Sequence, residues 1–442
     1  MTVITRFAPS PTGNLHVGNL RTALHNWLFA RANGGKFLLR IDDTDRARSE
    51  EHFVEAIRVD LAWLGLVPDG EERQSARFDR YEARFAALKA AGRVYPAYET
   101  SQELDLKRKV LLGRGLPPIY DRSALALTDA DHAAFAAAGV APHWRFRLDS
   151  DAPIVWDDMV RGAQRFDPAT MSDPVVRRAD GSWLYLLPSV IDDVDMAISH
   201  VVRGEDHVSN TASQIQMFEA LGAAPPRFAH AALLTGSEGK LSKRLGSLGV
   251  DHFRAAGIEP QAIVSLLARI GTSDSVEPFA DAAPLIESFD FARFGRAPAR
   301  FDEAELAALS ARIVHQLPFA RVAERLPTGM TAAAWDAIRP NLSTVAEAGD
   351  WWGVIEGPVE SQAAVEDRDF LARASELAGT IDWSADPWPQ LTGALKAETG
   401  RKGRALFLPL RLALTGREHG PDMTALMPLI GRERAVARLT PN

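Results

Sequence analysis

Residues 2–8 alternate apolar and polar side chains, the pattern of a strand with one buried face. Gly13 and Gly18 then interrupt the chain. Over 19–32 the period lengthens, and Leu20, Ala23, Leu24, Trp27 and Leu28 fall on one side of a helix that Asn33-Gly34-Gly35 stops. KFLLRI at 36–41 reads as the next strand. Strand, glycine-bearing loop, helix and strand open a parallel α/β unit. The spacing predicts another amphipathic helix over 51–64.

From about residue 99 the texture changes. A charged helix at 102–112, a Gly/Pro-rich turn at 113–118 and an alanine-rich helix at 129–138 precede strand candidates at 143–148 and 153–157. Parallel-sheet texture returns with AISHVVR at 197–203, a helix over 208–221 and a strand over 228–234. Beyond about 300 the pattern is helical. The fold class is therefore α/β: a parallel-sheet domain split by a mixed α/β insertion and followed by an all-helical C-terminal region.

Composition adjusts this picture only in part. A chain of 442 residues exceeds one compact core, so two to four domains are expected. The formal net charge is −8, so nucleic-acid binding has to use local basic patches. There are no cysteines, which excludes disulfides, thiol nucleophiles and Cys-based zinc sites. The N-terminus lacks a signal-peptide pattern, and no stretch approaches the ~18 apolar residues of a membrane span. The expected location is the cytoplasm, with no membrane partner.

Two segments carry candidate chemistry. Residues 6–19 read RFAPSPTGNLHVGN. Pro9 and Pro11 stiffen the loop after the first strand, and Gly13 and Gly18 let backbone approach a ligand. His16 stands just before a helix whose N-terminus offers free N–H groups to phosphate. The second segment is Lys240-Leu241-Ser242-Lys243-Arg244, framed by Gly236, Gly239, Gly246 and Gly249. Three cations between glycines suit a loop that closes over a triphosphate.

Together these strings resemble the two signatures of class I aminoacyl-tRNA synthetases, in the form the glutamyl branch carries. His16-Val17-Gly18-Asn19 is similar to the "HIGH" element, with Asn19 in place of the final His. Residues 240–244 resemble "KMSKS". The resemblance implies a Rossmann-type catalytic domain. It implies that His16, Gly18, Asn19, Lys240, Ser242 and Lys243 hold ATP, with His16, Lys240 and Lys243 acting in the chemistry and Lys243 as the main transition-state cation.

An enzyme acting on glutamate needs a cation for the side-chain carboxylate, and arginine matches a carboxylate bidentately. Arg6 leaves the first strand, and Arg203 ends AISHVVR, where ligands bind in parallel sheets. By resemblance Arg6, Ala8, Ser10, Tyr185 and Arg203 line the amino-acid pocket, with Arg203 on the γ-carboxylate. Asp42 stands where the family usually has Glu and is expected to face the α-ammonium.

The likeness also implies a division into 1–98 and 181–235 (two halves of the catalytic domain), 99–180 (acceptor-end binding), 236–310 (lysine loop and stem contact) and 311–442 (anticodon binding). Arg411, in the basic amphipathic segment 401–417, matches a base-reading position. The implied substrates are glutamate, ATP with Mg²⁺ and tRNA-Glu, with tRNA-Gln left open as a second acceptor. The protein is expected to be a monomer without zinc. The rival readings are a glutamyl-queuosine-tRNA synthetase, which lacks a helical tail, and a non-catalytic tRNA-binding paralogue, which would show degenerate signatures.

Overall fold

The computed structural model describes residues 2–236, 239–240 and 249–441. They form two compact units. The first comprises 1–253, 264–277 and 281–302; the second comprises 254–263, 278–280 and 303–442.

The first unit opens with β1 (Ile4–Phe7), α1 (Val17–Ala32), β2 (Lys36–Ile41), α2 (Glu51–Trp63) and β3 (Gly70–Arg73). The three strands pair in parallel, in the order β1-β2-β3. The reason lies in the burial pattern: Phe37, Leu39 and Ile41 of β2 and Leu20, Leu24 and Leu28 of α1 are all buried. Each such side chain contributes roughly 1.5–3 kcal/mol when fully buried. Gly35 makes the strand pairing possible, because a Cβ there would lie 2.2 Å from the Val3 carbonyl oxygen. The close approach lets Lys36 N–H donate to Val3 O at 2.8 Å.

Next come α3 (Phe78–Ala90), β4 (Val94–Ala97), α4 (Ser101–Gly113), α5 (Asp129–Ala137), β5 (His143–Phe146), β6 (Ile154–Asp158), β7 (Gly162–Phe166) and β8 (Val175–Arg177). Their strands are antiparallel: β4-β5-β8 in one sheet and β6-β7 in a hairpin. The periodicity of the chain indicates neither α3 nor the short strands β3, β4, β7 and β8.

The parallel texture resumes with α6 (Leu186–Asp195), β9 (His200–Gly204), α7 (Val208–Ala220) and β10 (Arg227–Ala231). β9 and β10 pair in parallel. Ser199 N–H donates to Ile4 O at 3.0 Å, and Ser199 Oγ accepts from Ile4 N–H at 2.8 Å. These bonds set β9 beside β1, so the two halves of the split domain lie against each other. β9 starts at His200 rather than at residue 197, because Ala197 turns through positive φ to leave α6.

The second unit is built from helices, among them Glu303–Val314, Ala332–Ile338, Ala348–Glu356, Arg368–Ala378, Pro387–Thr399, Arg404–Thr415, Met423–Ile430 and Arg432–Leu439. Trp335, Leu391, Leu410, Leu426 and Leu439 are fully buried in it. The Trp335 indole N–H donates to Leu317 O at 2.8 Å, which satisfies its one polar atom.

Candidate active site

His16 is the N-cap of α1. Its Nδ1 accepts from the backbone N–H groups of Gly18 at 3.1 Å and Asn19 at 3.4 Å. Asn19 Oδ1 in turn accepts from His16 N–H at 3.4 Å, which closes a reciprocal capping box. With Nδ1 an acceptor, the ring proton of the neutral imidazole sits on Nε2. Burial lowers the His16 pKa and favours that neutral form. The cap therefore turns His16 into a fixed N–H donor at a helix start, the place where phosphate binds.

Gly18 leaves room for this arrangement. A Cβ on it would stand 2.9 Å from His16 Cε1 and 3.0 Å from Nδ1. Gly18→Ala is expected to push the ring aside and lower turnover on the order of tenfold through misplacement of the donor. Alanine's better helix propensity offsets the weakened cap, so the melting temperature should change little. Turnover kinetics and a thermal melt check both halves.

One cavity of about 800 Å³ opens at the carboxyl ends of β1, β2 and β9. Arg6, Ala8, Ser10, His16, Gly18 and Asn19 line it from the first segment. Asp42, Tyr185 and Arg203 line it from the others. Residues nearly 200 positions apart in the chain thus meet because the two halves of the sheet join at β1 and β9.

The floor is an ionic lattice. Arg6 Nε donates to Asp193 Oδ1 at 3.1 Å, and Arg40 Nη1 donates to the same oxygen at 2.7 Å. Burial alone would raise the Asp193 pKa, but Arg6 and Arg40 outweigh it and hold the carboxyl below its ordinary range. Arg40 Nε and Nη2 grip Asp42 at 2.7 and 3.1 Å. Asp42 thus lines the cavity with both oxygens already engaged by a guanidinium. Tyr185 is 40% exposed, and its hydroxyl accepts from the Asn210 amide.

Arg203 differs from its neighbours. It is only 9% exposed, yet among the described residues no carboxylate pairs with it. Nε donates to His230 Nε2 at 3.3 Å; Nη2 donates to Thr211 Oγ1 at 2.6 Å and Gln214 Oε1 at 2.7 Å. All three acceptors are neutral. Burial, then the positive charge of Arg6, pulls its pKa down to about 10, so it remains a cation at neutral pH. A buried cation held only by dipoles favours the arrival of an anion.

The lysine segment falls partly outside the described residues: Ser242 and Lys243 lie there. Its flanks are described. Lys240 pairs in an antiparallel register with Thr235, and Gly249 forms an antiparallel bridge with His16. Where the chain leaves the segment, it therefore runs beside the helix cap. Arg411 belongs to the second unit, on the helix Arg404–Thr415. Its Nη2 donates to Pro421 O at 2.7 Å, while Nη1 is buried without a partner among the described residues.

Sequence reasoning omits Arg40, Asp193, Thr211, Gln214 and His230. The adjacent acids Asp192-Asp193 inside an apolar helix stretch, and a lone arginine inside strand 36–41, are the two visible signals. Charges at core positions demand partners.

The split parallel sheet, the capped helix start and the cationic pocket define a nucleotide-using enzyme of the Rossmann type. The family model for class I tRNA synthetases (E and Q), catalytic domain, matches residues 2–308, and the anticodon binding domain model matches 318–441. The chain belongs to the class I tRNA synthetases of this glutamate and glutamine family.

Its relatives there are glutamate–tRNA ligases. It is 68% identical to glutamate–tRNA ligase 1 of Novosphingobium aromaticivorans over 441 residues, covering 100% of both chains. It is 68% identical to glutamate–tRNA ligase 1 of Rhizorhabdus wittichii over 99% of both. Among solved structures it is similar to the glutamate tRNA ligase of Elizabethkingia meningosepticum in complex with its amino acid. That match has a TM-score of 0.86 at 27% identity, over 99% of this chain and 98% of the other. Among the described residues no helix is long and apolar enough to cross a membrane.

Proposed function

We propose that this chain activates glutamate with ATP and transfers it to the 3′-terminal adenosine of tRNA-Glu. One observation supports the choice of amino acid most directly: a buried guanidinium in the cavity, Arg203, has only neutral partners among the described residues. A substrate carboxylate supplies the missing charge. A glutamine amide does not, and a site left with unpaired buried polar groups discriminates by roughly 10⁴–10⁵-fold.

In the first step the glutamate α-carboxylate attacks the α-phosphorus of ATP, and pyrophosphate leaves. A ribose hydroxyl of the tRNA then attacks the mixed anhydride, and AMP leaves. Neither step needs an enzyme nucleophile; orientation can supply roughly 7–11 kcal/mol. Arg203 holds the γ-carboxylate, while Arg6, Ala8, Ser10, Asp42 and Tyr185 shape the remainder of the amino-acid pocket. His16, Gly18 and Asn19 present the helix start to the triphosphate. Lys240, Ser242 and Lys243 add cations and a hydroxyl for the same triphosphate. Mg²⁺ accompanies ATP through phosphate oxygens and water.

Residues 99–180 bind the acceptor end, 236–310 the stem, and 311–442, with Arg411, the anticodon. The enzyme works as a monomer in the cytoplasm. ATP–pyrophosphate exchange tests this directly, with glutamate or glutamine and with or without tRNA-Glu. Exchange is expected with glutamate and to be absent with glutamine. Robust exchange on glutamine alone would overturn the assignment. Charging of tRNA-Gln in the same preparation decides whether a second acceptor is used.

A further inference from the structure

Behind Arg203 stands a second pair that no step of the reaction uses. His230, on β10, lies in register with Arg203 on β9. Its Nδ1 and Asp158 Oδ2, at the end of β6, are 2.5 Å apart, and both side chains have no exposure to solvent. The other oxygen of Asp158 is fully committed. Oδ1 accepts from the backbone N–H groups of Val160 at 3.1 Å, Arg161 at 3.0 Å and His230 itself at 3.1 Å.

These bonds decide the state of the imidazole. Asp158 is acceptor-only, so Nδ1 carries the proton and Nε2 keeps its lone pair. That lone pair faces Arg203 Nε–H at 3.3 Å and the Thr211 hydroxyl at 2.9 Å. Burial keeps the imidazole neutral, against the pull of Asp158 and with the push of Arg203. A carboxylate touching Arg203 directly would pair its charge and compete with any substrate. The imidazole spacer keeps the counter-charge one residue away. Among the described residues Arg203 Nη1 has no hydrogen-bond partner, and Arg203 lines the cavity.

We propose that Asp158 and His230 are positioning residues for amino-acid recognition. They anchor Arg203 through a neutral acceptor and leave Nη1 open to the substrate's side-chain carboxylate. This rests on the reading that Arg203 receives that carboxylate. Asp158 comes from the segment inserted between the halves of the parallel sheet, so the insertion contributes to amino-acid selection as well as to the fold.

Asp158→Asn makes a sharp test. Three backbone donors still require oxygen at the Oδ1 position, so the amide nitrogen must face His230 Nδ1. The imidazole proton then moves to Nε2 and opposes Arg203 Nε–H. His230→Asn is the second variant. Its amide still donates to Asp158, leaving that carboxylate satisfied, but it falls short of Arg203. Both variants are measured in aminoacylation by the full chain, beside Arg203→Ala, with thermal melts.

The expected result is a rise of tenfold or more in the KM for glutamate in both variants. Their kcat should stay within about threefold, and their KM for ATP should not change. If Arg203→Ala raises the KM for glutamate while both other variants leave it unchanged, the positioning role is wrong and the pocket assignment survives. If Arg203→Ala also leaves it unchanged, the pocket assignment itself fails. A loss of kcat together with a rise in the KM for ATP in both variants marks a general structural role and overturns the proposal.

Discussion

Arg203→Ala is expected to lower kcat/KM for glutamate by roughly 10²- to 10⁴-fold, the equivalent of about 3–5 kcal/mol for breaking a buried charge pair. In the bound state the lost group is half of that pair. In the free protein it is a buried cation with neutral partners among the described residues. Removing an uncompensated buried charge relieves a desolvation cost, so folding stability should not fall in proportion. The contrast between a large kinetic loss and a small change in melting temperature is the diagnostic. Arg203→Lys should rescue little. A single ammonium cannot reach His230, Thr211 and Gln214 together and still extend to a substrate. Steady-state aminoacylation over a wide range of glutamate concentrations measures the effect, and a KM within twofold of the parent would sink the assignment.

The second large effect concerns His16. Replacing it with alanine would remove a cap and a donor together, which confuses two roles. His16→Asn separates them. Asparagine is a favoured N-cap, and its oxygen can accept from the N–H groups of Gly18 and Asn19 as Nδ1 does. It has no counterpart to the Nε2–H, the donor proposed for the triphosphate. The melt should therefore be nearly unchanged while turnover in adenylate formation falls by roughly 10²- to 10³-fold, the usual effect of deleting one preorganised donor to developing charge. The KM for glutamate should move little, because Arg203 and Arg6 remain. Full activity in His16→Asn would reduce His16 to a helix cap.

Much of the chemistry is legible in the linear chain because it is local. A histidine ahead of a helix, glycines that admit a ligand and a cluster of lysines are each contained in a few residues. The strands 4–7 and 36–41 and the helix between them follow from hydrophobic period alone. The short strands β3, β4, β7 and β8 do not, because three to five residues hold too few periods to distinguish a strand from a loop. The helix α6 is likewise not read from the chain, although Leu187, Val190 and Ile191 recur at helical spacing.

The sequence by itself determined which groups are candidates for the site: His16 and its glycines and the lysine segment for a nucleotide, and a pair of arginines at strand ends for a carboxylate. Tertiary structure alone decided what state those groups are in. The pairing of β1 with the chain just before β9 sets Arg6 and Arg203 in one cavity across nearly 200 residues. The same packing gives Arg6 and Arg40 the carboxylate of Asp193, while Arg203 has only an imidazole, a hydroxyl and an amide among the described residues. A guanidinium's charge is written in the chain. Whether that charge is already spent depends on burial and on partners far away in sequence, and only folding supplies those.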